Sequence, residues 1–260
     1  RVLGDVYAEW EFLKDLKLKV SLGMDIMYLK QNKYTPSNIY QSLGIASAKV
    51  GVNRSINWLN ENILTWNKTF KDIHSLNILG GFTIQRNNVE SVTGASSNFV
   101  NDVMKYNNLG AGSIYDKPES SATQWSLMSY LARINYSLYD RYLFSVNGRV
   151  DGSSRFGLNN QYGFFPSFSA AWRVSNENFF ENAKKVIDDM KVRLSYGTVG
   201  NAEIGDYASM ARYENKRLPF GKDMTTIVTL KSMANPDLRW EKSRQLDAGI
   251  DLSFFNGRIE

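Results

Sequence analysis

The sequence predicts an all-β fold in which antiparallel strands follow one another up and down. Three observations predict it. Apolar and polar residues alternate with a period of two in segment after segment, the connections between segments are alternately short and long, and aromatic residues cluster beside the short connections. With 43% hydrophobic and 22% charged residues, the 260-residue chain is typical of a folded protein, and wholesale disorder is excluded.

About nine segments show the alternation that defines a strand with one apolar and one polar face. In one of them Leu16, Leu18 and Val20 share a face, while Lys17 and Lys19 share the other. The predicted strands cover residues 6–13, 16–26, 64–70, 76–85, 128–138, 142–151, 167–174, 191–198 and 245–254.

The connections between these strands differ in length in a regular order. Short connections lie at residues 14–15, 71–72, 140–141 and 256–257, the last being the type I′ hairpin signal Asn256-Gly257. Long connections lie at residues 29–48, 89–121, 153–164 and 200–236. Residues 176–189 lie where the alternation predicts a short connection, but this connection is longer than the others, and we expect it to contain a helical turn. Outer-membrane barrels show this polarity of turns and loops, which soluble sandwiches rarely enforce.

Aromatic residues form five clusters next to the short connections. Amphipathic rings are favoured at a membrane–water interface, so the clusters predict one girdle of a barrel. Their members are Trp10, Phe12, Phe70, Tyr136, Tyr139, Tyr142, Phe179, Phe180, Phe254 and Phe255.

Charged residues occupy the middle of the polar face in several predicted strands. A soluble sandwich would turn such residues outward to water, and a barrel would turn them inward to a wet lumen. Periodicity does not separate these arrangements, but the polarity of the turns and the aromatic clusters favour the barrel. The candidates for the lumen-facing positions are Glu9, Lys17, Arg133, Arg149, Asp151, Arg173, Arg193, Asp247 and Asp251.

The residues available for catalysis or metal binding are few. The chain has no cysteine and one histidine, His74, which excludes disulfides, zinc–thiolate sites and cysteine nucleophiles. No hydrolase, zincin or nucleotide-binding motif occurs. We therefore expect no catalytic residue, metal or cofactor, and hence no enzyme. A net charge of +5 with both signs interspersed argues against a nucleic-acid partner, and no run of about 18 apolar residues predicts a transmembrane helix.

A series of short motifs spans most of the chain. Their most informative residues are Asp151, Gly152, Arg155, Phe156, Gly157, Pro166, Trp172, Arg173, Tyr196, Gly197, Gly200, Asn201, Asn235, Pro236, Trp240 and Glu241. Taken in order, the motifs resemble the barrel region of the SusC/RagA family of TonB-linked outer-membrane transporters. The fold class expected from this resemblance is a partial antiparallel up-and-down transmembrane β-barrel, with about 9–10 strands of a barrel of about 22.

The resemblance also implies partners and a place in the cell. Members of the family sit in the outer membrane of Gram-negative bacteria, in contact with its lipid, and import oligosaccharides or, in some cases, peptides. A SusD-like surface lipoprotein covers the barrel, and the TonB complex pulls on an N-terminal plug. We expect residues 1–260 to be part of one barrel domain, an internal piece of a longer protein whose plug, TonB box and signal peptide lie elsewhere.

Several matched residues carry individual expectations. We expect Arg155 to pair with Asp151, and Pro166 to start a strand. Trp172 is expected to face lipid or the interface, with Arg173 on the lumen side, and Trp240 to be interfacial as well. Residues 89–121 and 200–236, the longest connections, are the candidates for touching lid or ligand.

Two other functions stay open on the sequence. A passive porin would share the barrel but lack plug and TonB box. A soluble carbohydrate-binding β-sandwich would use the aromatic residues as a stacking platform. One continuous antiparallel sheet is the prediction of the barrel, whereas two sheets packed face to face would indicate the sandwich.

Overall fold

The computed structural model of the protein describes residues 1–221, 223–255 and 257–259. The strands are β1 (Val2–Leu13), β2 (Leu16–Thr35), β3 (Ser47–Phe70), β4 (His74–Phe99), β5 (Gly112–Tyr115), β6 (Glu119–Leu138), β7 (Tyr142–Ser153), β8 (Tyr162–Arg173), β9 (Ile187–Asn201), β10 (Arg212–Phe220), β11 (Asp223–Ser232) and β12 (Glu241–Phe254). Short 3₁₀ helices occur at Tyr40–Ser42, Lys105–Asn107, Leu109–Ala111, Val174–Asn176, Asn178–Phe180 and Ala183–Lys185. Within the described ranges no helix is long and apolar enough to cross a bilayer.

One sheet contains ten of these strands. Nine of them follow in the order β1-β2-β3-β4-β6-β7-β8-β9-β12, and β5 pairs with β4. Neighbours along this path are neighbours in sequence, apart from β5 and the hairpin β10–β11, which forms its own two-stranded sheet. The prediction of an all-β antiparallel meander is confirmed, and the face-to-face packing of a sandwich is not what the described strands form.

Every predicted strand is present, and most of them are longer than the alternation indicated. β3 starts at Ser47 and β4 ends at Phe99, so the predicted loops 29–48 and 89–121 are partly strand. The extensions carry polar residues on both faces, as in Ser96-Ser97-Asn98. A strand with polar residues on both faces has no apolar row, so its sequence carries no alternation to detect.

The predicted long connection 200–236 joins β9 to β12, and it contains the hairpin β10–β11, which was not predicted. Apolar pairs such as Tyr213 and Leu230 stand directly opposite each other on it. Large side chains such as Phe220 and Val228 remain exposed, so the hairpin has no buried row of its own. Gly221 follows β10 with a φ of +64°, a left-handed conformation that glycine adopts without strain.

The short turns use left-handed backbone at polar residues. Asp15 has φ of 68°, and the turn after β3 has Lys71 at 51° and Asp72 at 57°. Aspartate tolerates this region better than most residues, because its short side chain bonds to nearby backbone. Asn256, in the hairpin signal Asn256-Gly257, lies outside the described residues. The expected helical turn at residues 176–189 is present as two 3₁₀ helices, following one at Val174–Asn176.

The chain forms two compact units. One consists of residues 1–6, 22–59 and 85–125, and its buried residues include Ala46, Ala48 and Ser96. The other consists of residues 7–21, 60–84 and 126–260. Its apolar core is a cluster of Phe156, Phe165 and Trp240, and it holds most of the candidate residues.

Candidate functional site

Seven of the predicted lumen-facing residues lie on one face of strands β6 to β9 and β12. Directly opposed residues of neighbouring antiparallel strands point to the same side of a sheet. The opposed residues on this polar face run Arg133–Asn147–Ser167–Gly197–Gln245 and Leu131–Arg149–Phe165, with Ser129–Asp151–Gly163 in the next row. Further rows are Ser169–Ser195–Asp247, Ala171–Arg193–Gly249 and Arg173–Lys191–Asp251.

The opposite face of the same strands is apolar and exposed. Twelve of its large side chains are at least 36% exposed, namely Tyr130, Ile134, Phe144, Val146, Phe164, Phe168, Trp172, Leu194, Tyr196, Leu246, Ile250 and Leu252. Because each side chain is only about half exposed, it would gain roughly half of the about 1.5–3 kcal/mol that full burial of a large apolar side chain provides. A wall this apolar is typical of a surface that contacts lipid.

The two remaining candidates, Glu9 and Lys17, lie on β1 and β2. Lys17 Nζ is 3.3 Å from Glu9 Oε1 and 4.0 Å from Glu11 Oε2. Lys19 Nζ lies 4.4 Å from the centre of the Tyr7 ring. The structure therefore brings these polar side chains of the two strands together on one side.

Arg149 and Asp151 form the most buried ion pair of the polar face. Arg149 Nε donates to Asp151 Oδ1 at 2.6 Å, and its Nη2 donates to Ser129 Oγ at 3.1 Å. Arg133 Nε donates to Asn147 Oδ1 at 2.6 Å and has no carboxylate partner among the described residues. A groove of about 550 Å³ on the polar face is lined by Arg133, Asn147, Arg149 and Asp151, among others.

A second charged group lies toward the short-turn end of the same face. Asp251 accepts a hydrogen bond from Arg193 Nε at 3.2 Å, and Lys191 Nζ is 4.0 Å from its other oxygen. Asp247 accepts from Gln245 Nε2 at 3.1 Å. Arg173 stands opposite Lys191, and its buried Nε has no hydrogen-bond partner among the described residues.

A row of hydrogen-bonded side chains, called here the amide row, crosses four strands of the polar face and was not predicted from the sequence. It consists of Asn67, Asn77, Asn135 and Ser145. Asn77 Nδ2 donates to Asn67 Oδ1 at 2.5 Å, Asn135 Nδ2 donates to Asn77 Oδ1 at 2.9 Å, and Ser145 Oγ donates to Asn135 Oδ1 at 2.7 Å. The sequence does indicate that all four residues face the same side, because the odd-numbered residues of these strands form the polar face. It does not indicate that they bond to one another. The row gives this face uncharged hydrogen-bonding groups beside its charged ones.

Two of the family-motif residues, Phe156 and Trp240, meet in the aromatic core cluster, and this corrects the expectation for Trp240. Trp240 is 8% exposed, and its ring centre lies 4.7 Å from that of Phe156 and 5.2 Å from that of Phe165. Its indole N–H donates to the Gln161 carbonyl oxygen at 3.0 Å. Trp240 is therefore a core residue, because its polar atom is satisfied by backbone and its ring by two phenylalanines.

Glycines in the motifs allow this close approach. A methyl group at Gly157 would come within 1.9 Å of the Pro236 carbonyl oxygen, and one at Gly200 within 2.1 Å of the Phe165 ring. The Gly157 N–H also donates to the Leu238 carbonyl oxygen at 3.1 Å. The loop that follows β7 is thereby held against residues 235–238.

Arg155 does not pair with Asp151, as was expected, but with Asp206. Its Nε donates to Asp206 Oδ1 at 2.9 Å, and its Nη1 donates to the Ala202 carbonyl oxygen at 3.2 Å. Asp151 is instead occupied by Arg149, two residues away on the same face of β7. The pairing of Arg155 joins the loop after β7 to the loop after β9.

Four other motif residues have clear positions. Pro166 is inside β8 rather than at its start, which corrects the expectation; it marks the point after which β8 pairs with β9, from Ser167 onward. Tyr162 lies against Gly152, where an added methyl group would come within 2.5 Å of its ring. The remaining contacts are those of Asn201 and Asn235: Asn201 Nδ2 donates to Glu241 Oε2 at 3.1 Å and Asn235 Oδ1 accepts from the Asp237 N–H at 3.1 Å.

Glu177 collects three donors beside the short-turn end of β7 and β8. Tyr142 Oη donates to Glu177 at 2.6 Å, Arg141 Nη1 at 3.0 Å and Trp172 Nε1 at 3.1 Å. The hydrogen bonds from Tyr142 and Trp172, together with the Arg141 charge, lower the pKa of Glu177 from its ordinary value. Trp172 is thus fixed in the apolar row by its polar atom.

The predicted aromatic girdle needs one correction. Phe180 is 7% exposed and packs inside the turn, so it is not available to an interface. Phe179 is exposed, and its ring centre lies 6.3 Å from that of Trp172; the ring centres of Trp10 and Phe12 are 5.5 Å apart.

In the part of the chain that the structure describes, no three His, Asp or Glu side chains are placed to share a metal ion.

Comparisons with known proteins agree with this geometry. The family model described as "TonB dependent receptor-like, beta-barrel" matches residues 4–260. TonB-dependent receptor P3 of Formosa agariphila is 35% identical over 99% of the chain, and TonB-dependent receptor SusC of Bacteroides thetaiotaomicron is 32% identical over 98%. The chain spans 26% and 25% of the length of these two relatives.

The fold also matches a solved structure. A chain of the RagAB peptide transporter superposes on 98% of this chain with a TM-score of 0.88 and 26% identity, and the match covers 28% of that transporter chain. The resemblance expected from the motifs is confirmed by sequence and by structure. The chain belongs to the TonB-dependent receptor family and forms part of its β-barrel, in the group represented by SusC and RagAB.

Proposed function

We propose that the chain is one segment of the barrel of an active importer in the outer membrane of a Gram-negative bacterium. The importer takes up oligosaccharides or peptides, with a SusD-like lipoprotein as its lid and the TonB complex as its source of energy. The proposal depends on one observation: a chain that belongs to this family forms a sheet with one charged face and one exposed apolar face. Plug, TonB box and signal peptide belong to other parts of the longer protein.

In this proposal the polar face lines the lumen and the apolar face contacts lipid. Arg149 with Asp151, and Arg193 with Asp251, carry paired charges that keep the wall wet without a large net field. Arg133, which has an amide but no carboxylate partner in the described ranges, is left to bond a luminal segment or solute. The amide row supplies uncharged donors and acceptors of the kind that sugar hydroxyls and peptide groups use.

Exposed apolar residues on the long connections favour the proposal that a lid protein covers them. Tyr40, Leu43 and Val100 are each at least 84% exposed, although they lie in well-formed loops. On the hairpin β10–β11, Phe220 and Val228 are exposed as well. Apolar side chains concentrated on loops are typical of surfaces that another protein covers.

The test is uptake by cells that carry or lack the full-length gene. We expect labelled oligosaccharide or peptide to accumulate only with the intact gene, and accumulation to stop when the TonB complex or the proton-motive force is removed. Deletion of a neighbouring lid lipoprotein should reduce uptake at low solute concentration. Uptake that continues without TonB would indicate a passive porin and overturn the proposal.

A further inference from the structure

The groove of about 550 Å³ on the polar face, called here the Arg133 groove, extends to the ends of the strands that lead into the long connections. Its wall includes Asp151, two residues before the end of β7, and Gly200, one residue before the end of β9. In an outer-membrane barrel the long connections lie outside the cell. The groove therefore opens toward the side of the barrel at which a solute arrives first.

The Arg133 groove has an excess of positive charge. Among the described residues its charged lining consists of Arg133, Arg149 and Asp151, two cations and one anion. Arg149 Nε donates to Asp151 Oδ1 at 2.6 Å, so the single carboxylate of the groove already has a cation beside it. The charge of Arg133 is left without a counter-charge in the groove.

Arg133 is prepared to bind a planar anion. Its Nε donates to Asn147 Oδ1 at 2.6 Å, which orients the guanidinium group. Within the described ranges its two Nη atoms have no hydrogen-bond partner, and the side chain is exposed. Two parallel N–H groups of an oriented guanidinium match the two oxygens of a carboxylate, and such bidentate pairs are the strong hydrogen bonds of arginine.

Much of the remaining lining is apolar. The apolar side chains that contribute to it include Leu127, Leu131, Val199 and Ala202. Phe165 and Trp240 line the groove as well, but they are only 7% and 8% exposed, so they offer no open ring face on which a sugar could stack. The hydroxyl groups of an oligosaccharide would lose water here without gaining enough partners, whereas an apolar side chain gains by leaving water.

We propose that the Arg133 groove binds a short peptide by its C-terminal carboxylate, which Arg133 holds, and by the apolar side chain next to that carboxylate. The volume of the groove lies within the range of about 300–1,000 Å³ that is typical of small-ligand sites. The proposal rests on the proposed function of import, and it adds the feature of the solute that this part of the barrel wall selects.

Retention of two peptide pools on the purified full-length protein tests the proposal. One pool contains tripeptides that end in leucine with a free carboxylate, and the other contains the same tripeptides as C-terminal amides. Mass spectrometry of the bound fraction compares the two pools. We expect the free acids to be retained at least about tenfold more than the amides, the scale of a lost charge-assisted hydrogen-bonded pair.

Three variants assign this preference to one side chain. Arg133→Gln keeps a hydrogen-bonding amide beside Asn147 but no charge, so the preference for free acids should disappear. Arg133→Lys keeps the charge without the two parallel N–H groups, and an intermediate preference is expected. Arg193→Gln is the matched control, because Arg193 lies on the same polar face but outside the groove and pairs with Asp251. It should leave the preference unchanged.

The other occupants of the groove give different results. Equal retention of acids and amides by the unmodified protein would overturn the proposal and show that another segment of the protein occupies Arg133. A preference that survives Arg133→Gln, or that Arg193→Gln also removes, would overturn it too. Displacement of the free acids by tri-galacturonic acid at a lower concentration than by the tripeptides themselves would assign the carboxylate to an oligosaccharide instead. Binding is measured without the TonB complex, so a failure of active import is a separate result.

Discussion

The ring of Phe165 occupies the space where a side chain at Gly200 would stand. A methyl group at Gly200 would lie 2.1 Å from the ring, and one at Gly163 would lie 2.5 Å from it. The ring is therefore held between the backbones of β8 and β9, beyond the point where their pairing ends at Ser167 and Gly197. This contact joins the aromatic core cluster to the strand that enters residues 202–211.

The first prediction follows from this contact. Gly200→Ala should destabilise the full-length barrel by about 1–3 kcal/mol, because the ring must leave its position. Unfolding in urea, followed by tryptophan fluorescence in lipid vesicles, measures the change. Gly205→Ala is the control, since nothing lies within 4 Å of its added methyl group. If both variants unfold at the same urea concentration, the packing role of Gly200 is wrong.

The second prediction concerns Glu177 and pH. Its pKa is lowered in the folded protein, so its contribution to stability is fully present above its ordinary pKa and is lost as the pH falls through the folded value. Glu177→Gln should therefore destabilise the barrel at neutral pH, and the gap from the unmodified protein should close in acid. Unfolding midpoints measured from pH 7 downward check this, and a gap that stays constant would contradict it.

The sequence predicts the strands in which one row of side chains is apolar and the other is polar. β2, β7 and β12 were predictable because one row of each is apolar and the other polar, as in Leu246, Ala248 and Ile250. The partners of Arg155 and Trp240 were not predictable. Asp206 lies 51 residues from Arg155 in the sequence, and Phe156 lies 84 residues from Trp240. The alternation within a strand contains no information about contacts between residues so far apart. Which residues share the polar face was predictable, but which of them pair was not.

The third prediction compares two ion pairs by double-mutant cycles. Arg155 and Asp206 are 20% and 17% exposed, and Ala substitutions should show a coupling of about 1–3 kcal/mol. Lys17 and Glu9 are each 46% exposed, and their coupling should be about 0–1 kcal/mol. Equal couplings would mean that Arg155 does not hold the two loops together.

The fourth prediction separates the two faces of the sheet. Leu194 and Ser195 are neighbours on β9, and their partners Ala170 and Ser169 put them in the apolar and the polar rows. Leu194→Arg should cost about 1–3 kcal/mol in a bilayer, because its charge faces lipid between the row of Trp172 and the middle of the apolar band. Ser195→Arg places the same charge on the polar face and should cost far less. The amount of folded protein in vesicles, read from its shift on unheated gels, compares them, and an equal loss for both would show that the polar face does not line a wet lumen.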